Sequence, residues 1–263
     1  MPSPSLVFRD LTLGFLLIGT ASCTVYAPMQ PTMPLLEAVG QAEGSASIQP
    51  NGRVEALAAY SPARHLLLTA GGTLCPKLGS SNFLVSRQYE LGAGGYLPLG
   101  SYWLLNGIGG YGQAVNNRGY RDLGIIFGST YSEYNARYQK LFAQVGIAHI
   151  GGNRTLGFTY RLTQARFSTL THKELGELPL TNMLRHEVLF FARRPLGNGE
   201  HWESLVTMGM SVSGTPKRDD DQGAPSYGAA EYEANRNLLP AFYASWGVVY
   251  HPHWGNQRNG NQH

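Results

Sequence analysis

"TLGFTYRLTQ", residues 155–164, alternates without a break. Leu156, Phe158, Tyr160 and Leu162 fall on one face of an extended chain. Thr155, Gly157, Thr159, Arg161 and Thr163 fall on the other. Successive strand side chains point to opposite faces, whereas a helix would scatter these two sets around its axis. The segment therefore reads as a strand with one apolar and one polar face. Three further stretches repeat the pattern. In 202–212, Trp202, Val206, Met208, Met210 and Val212 oppose Glu203, Thr207, Gly209 and Ser211, with Ser204 and Leu205 as exceptions. In 241–250, Phe242, Ala244, Trp246, Val248 and Tyr250 align, and in 140–148 Leu141, Ala143, Val145 and Ile147 do.

The same reading at lower contrast adds strands near 41–49, 52–60, 64–73, 86–97, 101–112 and 184–194, ten in all. Each matches the ~9–11 residues that a tilted strand needs to cross a bilayer, against ~5–6 for a strand of a soluble sheet. The connections alternate in length. "SPAR", "PLG", "GGN" and "PLGNGE" are short, whereas 74–85, 113–137, 165–183 and 214–235 are long; "PNG" between the first two strands is the exception. Short turns on one side and long loops on the other describe an up-and-down membrane barrel. The fold class expected is all-β, an antiparallel transmembrane barrel of about ten strands occupying 41–250. Tyr60, Tyr89, Tyr102, Trp202 and Tyr250 lie near strand ends, where amphipathic rings favour the headgroup level.

If the apolar face meets lipid, Glu43, Arg53, Glu55, Glu90, Arg161, Arg185, Glu187, Arg193 and Glu203 point inward, five acids against four bases. Such balance suits a lumen closed by paired charges, because an unpaired buried charge is costly. A plugged barrel is expected, with 113–137 long enough to fold inward as a constriction. On this register an arginine at Met208 is far more damaging than one at Thr207.

Composition agrees. Only 14% of the residues are charged, Gly numbers 33 and Tyr 15, and the net charge of +3 is too small to argue for nucleic acid. At the N-terminus, Leu11 to Ile18 is too short to span a membrane as a helix. It is followed by Thr20, Ala21 and Ser22 directly before Cys23. A short apolar core followed by small residues is the pattern of an export signal. The remaining cysteine, Cys75, lacks an adjacent base and reads as a free thiol.

With "TASCTVYAP" (20–28) and the proline-rich "PMQPTMPLL" (28–36), the chain resembles Gram-negative outer-membrane β-barrels, and in particular barrel-bearing lipoproteins of the Bacteroidota type. The resemblance implies a signal peptide over 1–22, lipid attachment at Cys23, and a lipid-anchored tether over 23–40. It also implies a barrel over 41–250 and a polar tail over 251–263. The expected location is the outer membrane. The expected partners are outer-membrane lipids and the machineries that insert barrels and sort lipoproteins, and the barrel-insertion signal falls on "FYASWGVVY", ending at Tyr250. The external ligand is not named by any motif, and nucleic acid is not expected.

No nucleophile elbow, phosphate loop, zinc-protease or paired-cysteine motif occurs. His251 and His253 share one side of an extended segment, but two ligands make a weak metal site. "KRDDDQG" (217–223) lacks the alternating spacing of a calcium loop. For catalysis, His65 near Ser61 and His186 beside Glu187 are the local pairs. Neither supplies a nucleophile, base and orienting group together. No catalytic residue, metal or cofactor is expected. The favoured role is a structural or binding barrel acting through its outer loops; a barrel enzyme acting on lipids and a soluble periplasmic β-sheet lipoprotein are the alternatives.

Overall fold

The computed structural model describes residues 24–124, 128–197, 201–216 and 229–252. Cys23, His253 and the 217–223 acidic run lie outside them. The strands are β1 (Ala42–Ile48), β2 (Val54–Tyr60), β3 (Leu66–Cys75), β4 (Phe83–Leu99), β5 (Trp103–Gly124) and β6 (Gly128–Ile150). They continue with β7 (Thr155–His172), a two-residue β8 (Gly176–Glu177), β9 (Asn182–Pro195), β10 (Trp202–Ser213) and β11 (Ala241–Tyr250). Among the described residues one helix, α1 (Ala229–Arg236), precedes β11.

Neighbours in sequence pair antiparallel, β1 pairs β11 and β6 pairs β7, so the sheet closes. The result is a ten-stranded barrel, with β8 appended to the end of β7. Partners can be followed around the ring from Leu156 through Ala192, Val206, Trp246, Ile48, Val54, Leu74, Arg87, Val115 and Arg137. The circuit returns to β7 at Thr169, thirteen positions above its start (156 to 169). The register shift at Arg137/Tyr138 accounts for one of these. A stagger of twelve over ten strands gives a tilt of about 40° and a backbone radius of about 10 Å. Once side chains line the wall, such a barrel has room for roughly one extended peptide.

One end, the foot, carries tight turns at 61–65, 100–102 and 151–154, together with the start of β1 and the end of β11. The other end, the crown, carries the short 49–53 turn, 76–82, 173–181 and the described parts of the β10–β11 connection, 214–216 and 229–240. The alternation seen in the sequence is thus the architecture. One element differs. In the 113–137 stretch, expected as a loop able to fold inward, residues 113–124 and 128–137 are the upper halves of β5 and β6, paired from Trp103↔His149 to Gly124↔Gly128. Its polar side chains hid a strand, because above a membrane both faces of a strand are free to be polar.

The outward face of β6 marks that boundary. Leu141, Val145 and Ile147 are exposed and apolar, whereas Asn135, Arg137 and Gln139 above them are exposed and polar. On β7 the change falls between Leu162 and Gln164, and Leu141 pairs with Gln164. Below the boundary the exposed surface is apolar around the ring, and it ends at the foot in Tyr60, Tyr102, Trp103, Trp202 and Tyr250. Among the described residues no helix is long and apolar enough to cross a membrane.

Candidate functional site: the occupied lumen

All nine charged residues assigned inward from the sequence are buried. Lys140, which shares the inward parity of β6, joins them and equalises acids and bases at five each. They form separate clusters. Glu90 lies between Lys140 (2.6 Å) and Arg161 (3.0 Å), and Arg161 also donates to Gln144. Arg53 meets Glu55 at 3.0 Å and donates to Thr73, while Gln49 donates to Glu55. Near the foot, Arg193 makes a two-pronged pair with Glu43 (2.8 and 2.9 Å). Glu203 and His251 complete this group, with the His251 Nε2 3.3 Å from Glu203. His251 was expected to begin a polar tail; it is instead buried within the ion cluster at the foot.

Through this polar wall runs the chain's own N-terminal segment. Residues 24–36, expected as part of a tether, are nearly all buried and occupy the lumen. At the crown, Thr24 donates to the Asn237 carbonyl and Val25 N–H donates to the Asn237 side chain. At the foot, Leu35 N–H donates to Glu43. Between them, Asn116 donates to Val25 O, Gln88 to Ala27 O, Gln144 to Thr32 O and Arg193 to Met33 O, while Gln30 N–H donates to Glu55. Thr207 and Ser245 both donate to the Gln30 side-chain oxygen. The segment has neither helix nor strand, so its main-chain groups need partners from the wall. Pro28, Pro31 and Pro34 lack an N–H and so lower that demand.

Its apolar side chains fill the remaining space. Tyr26 donates to Glu187 at 2.6 Å, with its ring 5.4 Å from that of Tyr138 and 5.0 Å from the Arg185 guanidinium. Met33, Leu35 and Leu36 pack with Leu67, Leu104, Ile108 and Phe142. Met33 sits over Gly146, where an added Cβ would overlap its sulfur. A cavity of about 30 Å³ beside Gln30 and Met33 has room for one or two waters.

α1 closes the crown. Glu231 in its first turn and Arg236 in its last suit the helix dipole. Asn237 folds back onto the Glu233 carbonyl. Glu233 accepts from the Tyr134 hydroxyl, which also contacts Tyr120, and Arg236 lies 4.9 Å over the Tyr120 ring. Burial and the Glu233 carboxylate push the Tyr134 hydroxyl far above the ordinary tyrosine range, so it stays protonated and serves as a donor.

The catalytic pairs considered from the sequence are not assembled. Ser61 Oγ contacts the Tyr96 hydroxyl and donates to Ala63 O, while His65 Nδ1 lies 3.0 Å from Tyr96 O. His186 faces outward against the Tyr160 hydroxyl, whereas Glu187 points into the lumen. Cys75 is a buried free thiol with its sulfur 3.7 Å from Asn51 O. Among the described residues no group of three or more His, Cys, Asp or Glu is placed to hold a metal.

No family model matches the chain, and no curated protein matches it in sequence. Solved structures do. The outer-membrane protease OmpT from Escherichia coli superposes with a TM-score of 0.51 at 10% identity, over 80% of this chain and 93% of that one. Looser likenesses are the KdgM porin (TM-score 0.34, 12% identity, 80% and 98% covered) and CarO2 of Acinetobacter baumannii (0.28, 11%, 81% and 99%). The first of these shows the fold: a closed antiparallel barrel of the outer-membrane kind.

Proposed function

We propose that this chain is an outer-membrane β-barrel lipoprotein, lipid-anchored through Cys23 and sealed by its own N-terminal segment. Its structural or binding role is exerted through the crown outside the cell. The observation that carries the reading is the outward band of apolar side chains, bounded by aromatic residues at the foot and by the Leu141-to-Gln139 change on β6. Such a band, with tight turns at 61–65, 100–102 and 151–154 at one end and the longer 76–82 and 173–181 connections at the other, belongs to barrels that cross a bilayer with the short turns on the periplasmic side. Outer-membrane lipids are then its immediate surroundings, and the barrel-insertion and lipoprotein-sorting machineries its partners during assembly. The lipid reading rests on the small residues before Cys23 and on the likeness to Bacteroidota-type barrel lipoproteins.

Metabolic labelling with a fatty acid tests the anchor. The wild-type protein should take up label and Cys23→Ala should not. Equal labelling of the two ends the lipoprotein reading and leaves the barrel reading standing. Retention of both in the membrane fraction after alkaline washing is expected, since the strands, not the lipid, hold the barrel in place.

A further inference from the structure

We propose that the lumen is a binding site for an extended polypeptide, recognised chiefly through its main chain, and that residues 24–36 are its resident and displaceable ligand. The first ground is the kind of bond that holds the segment. Its main-chain groups meet side chains throughout: Asn116, Gln88, Gln144 and Arg193 donate to its carbonyls, and Glu55, Glu43 and Asn237 accept from its N–H groups. Among the described bonds none joins the backbone of 24–36 to the backbone of a strand. The segment is therefore not part of the sheet, and its departure leaves every strand pairing intact. Side-chain amides, carboxylates and guanidinium groups can turn to water or to another peptide, as the fixed ladder of a sheet cannot.

The second ground is shape. The wall is cut to particular side chains: Gly146 leaves the space that Met33 fills, Gly71 lies against Met29, and Tyr26 reaches Glu187 beneath Tyr138. Main-chain bonds would supply general affinity for extended peptide, and these seats would set preference for large, flexible apolar residues. The third ground is the joint between ligand and barrel. The 37–40 stretch leads from the lumen to β1 with Glu37, Val39 and Gly40 exposed, and it holds to the foot mainly through Gln41 and Ser61. Cutting it would sever the plug from the barrel without touching a strand.

The experiment uses the full chain with a protease site introduced at 37–40, folded in detergent micelles, cut, and then challenged with a fluorescent synthetic peptide of residues 24–36. The cut protein should retain its N-terminal fragment through gel filtration and exchange it for the labelled peptide in a saturable manner. A peptide N-methylated at Gln30 and Leu35 loses the donors to Glu55 and Glu43 and should bind at least about tenfold more weakly, because each buried carboxylate would lose one of its hydrogen-bond donors and the added methyl would press against it. Replacing Met29 and Met33 of the peptide by lysine should weaken binding to a similar degree. These peptide arms do not touch the barrel, so its folding cannot confound them. A fragment that no concentration of competitor releases short of unfolding, or labelled binding indifferent to both peptide changes, would overturn the proposal.

Discussion

Glu90→Ala should be the most destabilising single change in the barrel wall, by about 3–5 kcal/mol. The Glu90 carboxylate lies between Lys140 and Arg161, and all three side chains are almost wholly buried. Its removal leaves two cations facing each other in a lumen already filled by residues 24–36. Gln144 accepts from Arg161 and Gln88 accepts from Lys140, but a neutral amide oxygen cannot replace the lost charge. The expected readout is a lower denaturant midpoint for the folded, heat-modifiable form in micelles. Restoring balance with Glu90→Ala plus Lys140→Met should recover much of the loss, since one buried cation is then removed with the anion. If the single variant were as stable as the wild type, the Glu90 cluster would not be the paired, desolvated group described here.

Met208→Arg tests the outward face. Met208 is exposed on the outside of β10, six residues above the foot aromatic Trp202, or about 15 Å along the barrel axis at a tilt of ~40°. An arginine near mid-bilayer on the lipid face costs about 2–4 kcal/mol, so insertion into lipid vesicles should fall sharply. The neighbour Thr207 points inward, where an arginine is expected to be far less damaging to insertion, but its surroundings in the lumen are packed. Its hydroxyl contacts Gln30 of the plug and Ser245 of β11, and the cavity it lines beside Gln30 is only about 30 Å³, room for one or two waters. The informative control is Thr207→Val, which keeps the volume, removes the hydroxyl and should cost about 1 kcal/mol without impairing insertion. Insertion of Met208→Arg at the wild-type yield would contradict the face assignment.

Much of this barrel can be read from parity alone. In 155–164, 202–212 and 241–250 every outward assignment agrees with the structure, because one face of each strand is apolar and the other faces a charged or hydroxyl-lined interior. The inward charges were legible for the same reason. Lys140 was less legible because the apolar set of β6 begins at Leu141, although its even number places it with Phe142 and Gln144. The upper halves of β4 to β7 were not legible. Above the polar boundary neither face must be apolar, so alternation fades while the backbone pairing continues.

The plug was hidden by its prolines. Pro28, Pro31 and Pro34 suit a solvated linker and argue against helix or strand, and both inferences about secondary structure agree with the described chain. What they conceal is burial. Tyr26, Met29, Met33, Leu35 and Leu36 are too apolar for a tether in water, and that excess was the available signal. Three prolines also remove three donors that a dry lumen would otherwise have to satisfy. The balanced charges imply that something fills the barrel, but no charge or periodicity in 24–36 marks it as that filler.

Planar-bilayer recording on the cleavable protein tests the central claim, a transmembrane barrel closed by residues 24–36. Before cleavage the inserted protein should show no large, stable conductance, because residues 24–36 are buried along the lumen and bonded to its wall from crown to foot. After cleavage and removal of the fragment with excess competitor, followed by washout, a steady conductance should appear. Addition of the 24–36 peptide should close it again. A large, stable conductance from the uncut protein, or a membrane that stays silent once the fragment is gone, would contradict the account.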